Sequence, residues 1–406
     1  MKLVNILSAL WCIVTLSSCG NNPIDIEDLS RFRSIYLVQA NEGYGDHVLD
    51  INDEIQIIKF SVGVGGAKRI DREVQVQMEA YPDLIAEYND ENRTNYLPMP
   101  QGSYELESGY VTIASNARYS NALNVRLRTR DFIEPGVSYL LPVGIAQVDS
   151  DIPVNEKLKI AYLRITGSYP LGEEPPVKVW ELRGRTFKDL FIVQGALSGL
   201  EVDLLQFWEY NNLTGVFNND PVTGLGSGGW GVFDVTIPTP TTLIARDVNG
   251  VYSGVPGSIF EYPVNVANRT LAGLGVTGIG FNAYNIMSHS AHYNAIFAKT
   301  ATGDLYIIRK EGTQWSNKLK IGEGFQIYTN MVAYQNGVLA VTQDGGLWFV
   351  AISESGELSE PQLVGSGWNI YSRLMVDGND LLALETSSGI LWRYKFDLRG
   401  IWNVRR

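Results

Sequence analysis

Trp230 and Trp368 each stand behind glycines, in Gly226-Ser227-Gly228-Gly229-Trp230 and Gly365-Ser366-Gly367-Trp368, and Asn369 follows the second. An aromatic face can stack on the apolar C–H surface of a sugar ring, while nearby polar groups fix its hydroxyls. Glycine beside the ring lets backbone N–H groups approach a ligand closely. Gly280-Phe281-Asn282 and Gly324-Phe325 repeat the arrangement with phenylalanine. The residues this chemistry would recruit are Gly228, Gly229, Trp230, Phe281, Asn282, Gly324, Phe325, Gly367, Trp368 and Asn369. Aromatic pins in a packed interior would leave the same pattern, so stacking and packing both stand as readings of Trp230 and Trp368. Tyr252, Tyr306, Trp348 and Trp392 follow turns on expected strands and read as packing.

Other chemistries find less support. The chain has only 3 His and 2 Cys, which leaves little for an imidazole or thiolate metal centre. His289-Ser290-Ala291-His292 sits in a strand-like run, where positions three apart face opposite sides and share no metal. Glycosidases need two carboxylates across a cleft. Most of the candidates Asp234, Asp247, Asp304, Glu323, Asp344 and Glu385 are expected in turns or loops, with no distinctive constellation. Nucleophile-elbow, P-loop and metalloprotease motifs are absent. No catalytic residue, metal or cofactor is assigned, and a non-enzymatic binder is expected. A net charge of −12 argues against nucleic acid, which needs clustered cations.

The elements that must position these residues are strands. Residues 1–18 form an export signal, with Lys2 ahead of an apolar run to Leu16. Leu16-Ser17-Ser18-Cys19 resembles a bacterial lipobox, which implies lipidation at Cys19 and a polar tether over 19–30. Over residues 31–166, Val74, Val76 and Met78 alternate with polar neighbours, as do Leu123, Val125 and Leu127. A period of two marks half-buried strands. Further strands are expected near 55–60, 110–114, 138–143 and 158–165, and Pro82 opens a short helix. Gly63-Val64-Gly65-Gly66 reads as a turn or bulge. Residues 167–179, rich in Pro, Gly and Glu, read as a linker.

Residues 180–406 repeat. Thr214-Gly215-Val216-Phe217, Asn249-Gly250-Val251-Tyr252, Gly303-Asp304-Leu305-Tyr306, Gly345-Gly346-Leu347-Trp348 and Gly389-Ile390-Leu391-Trp392 each pair a turn with an aromatic, spaced 35, 54, 42 and 44 residues apart. Spacing in the forties is a propeller signature of four strands per blade. The segment Arg399-Gly400-Ile401-Trp402-Asn403-Val404 is expected to return and close the ring.

Two resemblances extend this reading. Asp83-Leu84-Ile85-Ala86-Glu87-Tyr88-Asn89, Asn95-Tyr96-Leu97-Pro98-Met99-Pro100 and Tyr104 resemble the immunoglobulin-like domain of unknown function that opens many Bacteroidetes outer-membrane lipoproteins. That likeness implies a spacer on a glycan-handling lipoprotein at the cell surface. The repeated glycine–aromatic phrase followed by a turn with Leu-Tyr resembles the tachylectin-type five-bladed propeller lectins over about residues 187–406. It implies binding of N-acetylated hexosamines between neighbouring blades. The expected fold is all-β: an immunoglobulin-like β-sandwich followed by a five-bladed β-propeller. The expected partners are a glycan ligand and outer-membrane glycan-uptake proteins, with a glycoside hydrolase or lyase and a protein-interaction scaffold as the alternatives.

Overall fold

The structure, a computed structural model, describes residues 33–41, 46–222, 225 and 228–404. The export signal, Cys19 and the tether lie outside the described residues, as do Gly226 and Ser227. Strands dominate and the chain is all-β. It divides into two compact units, the first ending at Pro170 and the second beginning at Leu171. The connecting segment is shorter than the expected 167–179. Gly167 and Ser168 finish strand Ile160–Ser168, and residues 177–179 already belong to strand Val177–Glu181.

In the first unit, alternation translates directly into burial. Val74, Val76 and Met78 turn inward from strand Val74–Ala80, and Leu123, Val125 and Leu127 from strand Leu123–Leu127. One sheet runs Asp46–Asp50, Ile160–Ser168, Ser138–Val148, Val74–Ala80 and Tyr110–Ile113, with Leu97–Pro98 added to Ser138–Val148. A second joins Gln56–Phe60, Leu123–Leu127 and Tyr104–Leu106, and both sheets contribute to one apolar core. Pro82 starts a 3-10 turn that leads into helix Ile85–Asn92. Gly63 lies in strand Val62–Gly65, paired with Ser34–Leu37, and not in the expected turn. The Tyr36 ring packs over it where a Cβ would collide.

Besides a two-stranded sheet of Tyr210–Asn211 and Val216–Phe217, five larger sheets follow in sequence in the second unit among the described residues. Their leading strands are Asp189–Val193, Phe233–Pro238, Tyr284–Ser290, Tyr328–Tyr334 and Tyr371–Asp377. Each leading strand neighbours the next, and the fifth returns to the first, so the cycle is closed. An apolar cluster fills the gap between each consecutive pair of sheets. The leading strands surround a central cavity of about 620 Å³.

The chain ends meet the sheets differently from expectation. Val177–Glu181, at the start of the unit, pairs antiparallel with Ile390–Tyr394 and completes the fifth sheet. Trp402–Asn403 instead runs parallel to Gln362–Ser366 in the fourth. The fifth sheet draws only three strands from the end of the chain, which leaves an edge that the earlier strand covers.

Candidate functional site

The aromatics singled out as stacking platforms are interior residues. Trp230, Phe281, Phe325 and Trp368 are between 0% and 5% exposed, each in a cluster between two sheets. Their glycines explain why. Gly229, Gly280, Gly324 and Gly367 all have φ between 72° and 89°, the left-handed region that glycine adopts without a Cβ penalty. That turn swings the next residue inward. Its backbone N–H donates to a carbonyl on the preceding sheet: Trp230 to Asp203 at 3.1 Å, Phe281 to Gly257 at 2.9 Å, Phe325 to Gly303 at 2.9 Å, Trp368 to Gly345 at 3.0 Å. Gly303 and Gly345 belong to the second recurring phrase, so there the two phrases dock on each other and fasten sheet to sheet, while in the first sheet Asp203 takes the place expected of Thr214-Gly215-Val216-Phe217. Glycine is there for backbone conformation, and the four aromatic faces are not open to a sugar.

The same pairing realigns the second phrase. The carbonyl that Phe281 uses belongs to Gly257, so the unit equivalent to Gly303-Asp304-Leu305-Tyr306 is Gly257-Ser258-Ile259-Phe260. Residues 248–257 then form a longer loop between strands Thr242–Asp247 and Ser258–Asn265. Tyr252 rides on that loop and is 55% exposed, contrary to the expected packing. Its seat is built by Asp247, fully buried at the strand end, whose carboxylate accepts from Val251 N at 2.9 Å and Tyr252 N at 2.8 Å. Burial by itself would push this carboxyl up; the amides of Tyr252 and Val251 outweigh it and hold it below its ordinary range.

From this seat the Tyr252 hydroxyl donates to the Gly229 carbonyl at 2.8 Å. Asp203, on the turn of the first sheet, accepts from Gly229 N at 3.0 Å and Gly231 N at 2.7 Å. Those amides hold the Asp203 carboxyl below its ordinary range, with Lys188 adding to the effect. Lys188 itself donates to the Gly231 carbonyl. The junction of the first and second sheets thus presents an exposed tyrosine face, a carboxylate, an ammonium and the exposed Gly228. An apolar face ringed by charged donors and acceptors is suited to a polyhydroxylated ring. The amide of Gly229, read from sequence as a ligand donor, is already committed to Asp203, as is that of Gly231.

The later junctions are built otherwise. Asn282 and Asn369 are exposed, and Asn369 Nδ2 donates to the Gln343 carbonyl at 3.2 Å. Lys318 Nζ donates to the Ile279 carbonyl at 2.7 Å and lies 4.4 Å from the Phe281 ring centre. Beside the exposed Gly324, Lys320 bridges Asp304 and Glu323 at 2.8 and 2.6 Å. The remaining candidate carboxylates serve nearby groups: Asp234, in strand Phe233–Pro238, pairs with Arg246, Asp344 accepts from Thr342 at 2.5 Å, and Glu385, at the end of strand Asp380–Glu385, accepts from Ser388 at 2.7 Å and Trp392 Nε1 at 3.0 Å. Sequence reasoning missed Asp203 and Lys188, read Asp247 only as a candidate catalytic carboxylate, and misplaced Tyr252. The better fit of Gly257-Ser258-Ile259-Phe260 to the repeat was the signal that would have freed Tyr252.

A family model described as "-like, N-terminal domain" matches residues 31–152, which lie before the end of the first unit. No curated protein matches the chain. Among solved structures, it is similar to Bacteroides thetaiotamicron EndoBT-3987 with Man5GlcNAc product, at 18% identity over 32% of this chain and 31% of that one, with a TM-score of 0.29. This chain therefore spans under a third of that protein. A Bacteroides ovatus structure described as carbohydrate binding is 13% identical over 88% of this chain and 95% of its own, also with a TM-score of 0.29. At these identities and TM-scores, neither likeness carries a fold or a ligand over to this chain.

Proposed function

We propose that the second unit is a five-bladed β-propeller that binds glycan, without catalysis, at the junction of its first two sheets. The observation that carries this reading is the exposed Tyr252 ring held beside Asp203 and Lys188. The ring offers the stacking face, and the two charged groups offer an acceptor and a donor for hydroxyls. N-acetylated hexosamines, the class implied by the lectin resemblance, are the first sugars to test. Engagement of the loop carboxylates in ion pairs and turn hydrogen bonds supports binding over hydrolysis. Truncating a stacking aromatic typically costs about 1–3 kcal/mol of affinity. Tyr252→Ala should therefore weaken glycan binding about five- to a hundredfold, while the melting temperature stays near that of the parent because the ring is more than half exposed. Unchanged affinity of this variant on a glycan array and in titration would remove Tyr252 from the site.

The first unit, in this reading, is an immunoglobulin-like spacer on a lipid tether, which holds the propeller off the outer membrane beside glycan-uptake proteins. Cys19→Ala should then release the protein from the membrane fraction while leaving it folded. Retention of that variant in the membrane fraction would exclude lipid anchoring through Cys19.

A further inference from the structure

Sheets two to five share a β-bulge one residue into the leading strand. Their registers jump from Phe233 to Val235, Tyr284 to Ile286, Tyr328 to Asn330 and Tyr371 to Arg373, leaving Asp234, Asn285, Thr329 and Ser372 as the extra residues. A bulge re-aims the side chain of its extra residue. Beside it on the second strand stand Arg246, Lys299, Val341 and Leu384, which pair in register with the residues after the bulge.

In the second sheet this pair is a satisfied ion pair. Arg246 donates to Asp234 through Nε at 2.9 Å and Nη2 at 2.5 Å, and Nη1 reaches the Phe281 and Tyr284 carbonyls at 3.0 and 2.5 Å. The fourth and fifth sheets have no charge there, and Thr329 and Ser372 donate to the Val341 and Leu384 carbonyls at 3.2 and 3.3 Å. The third sheet keeps the cation and lacks the anion. Lys299 is 3% exposed and its side chain has no hydrogen bond or ion pair among the described residues, while its bulge residue is the neutral Asn285. Partial desolvation of an ammonium without a counter-ion is costly, and it pushes the Lys299 pKa down. Asn285 is exposed and lines the central cavity of about 620 Å³. Arg373 and Asp377, also on the cavity wall, are paired with Asp189 and Arg393. The unmatched charge therefore lies beside a residue that opens onto a cavity large enough for a monosaccharide.

We propose that the Lys299–Asn285 bulge binds the anionic group of a ligand entering the central cavity, a carboxylate or sulfate in place of the carboxylate that Asp234 supplies to Arg246. The site is separate from the Tyr252 junction and stands or falls without it. Two sources share this chemistry, an acidic sugar and a free inorganic anion. Calorimetric titration of the full chain with glucuronate, inorganic sulfate and neutral glucose separates them. Binding of glucuronate assigns the site to acidic sugars, and binding of sulfate alone assigns it to free anions. Lys299→Met should weaken that binding about tenfold or more, since it removes the charge partner. Asn285→Asp should abolish binding and raise the melting temperature, because it restores within the chain the pair that the second sheet already has. Absence of anion binding in the parent protein, equal binding of glucose, or undiminished anion binding in Lys299→Met overturns the proposal. Should Lys299→Met fail to fold, Asn285→Asp decides alone, and anion binding undiminished in it is the overturning result.

Discussion

Trp368→Ala is expected to cost about 3–5 kcal/mol of unfolding free energy, the range for truncating a buried large aromatic. The ring is fully buried between the fourth and fifth sheets, with centroids 4.8 Å from Tyr394 and 5.5 Å from Tyr371. Its Nε1 donates at 2.6 Å to the Trp402 carbonyl, on the strand that runs beside Gln362–Ser366. Truncation thus opens a cavity and leaves that carbonyl without its indole donor. Denaturant unfolding should show a lower midpoint, and Trp230→Ala should behave in the same way. Trp392, half-buried with its Nε1 on Glu385 at 3.0 Å, should lose less. A Trp368→Ala midpoint equal to that of the parent would mean the indole is not part of the core.

The second large effect is an asymmetry across the buried ion pair of the second sheet. Asp234→Ala removes the carboxylate from Arg246, whose side chain is 8% exposed. Breaking a buried pair from one side costs about 3–5 kcal/mol, because the remaining charge is desolvated and unmatched. Arg246→Met leaves the opposite partner behind, and Asp234 is 34% exposed and open to hydration. The second substitution also takes the Nη1 donor from the Phe281 and Tyr284 carbonyls, a smaller neutral loss, and fills much of the vacated volume with an unbranched apolar chain. Urea titrations should therefore rank Asp234→Ala as the more damaging of the two, although both break one pair. Equal losses, or the reverse order, would show that Arg246 is hydrated and that its burial does not set the cost.

These energetics explain why the candidate site was harder to read than the fold. Alternation at Val74, Val76 and Met78 is a local property of a strand with one wet face, so it marks strands without knowledge of their partners. Pro82 before a helix and glycine–aromatic phrases spaced in the forties are equally local. Solvent exposure of an aromatic is not. The Trp230 and Tyr252 phrases both set an aromatic after glycine, yet the Trp230 backbone N–H is fastened to a carbonyl of the preceding sheet while Tyr252 rides on a lengthened loop.

From sequence alone, an all-β chain with an alternating first half and a repeating second half was determined, because strand periodicity and turn residues act over a few positions. Tertiary structure alone decided that Trp230 and Trp368 face inward and that Val177–Glu181 completes the fifth sheet. It also brought Tyr252 to Asp203 and left Lys299 without an anion. Each of these depends on groups distant in sequence that meet only when sheets pack, and the free energy of a buried ring or charge is set by those neighbours.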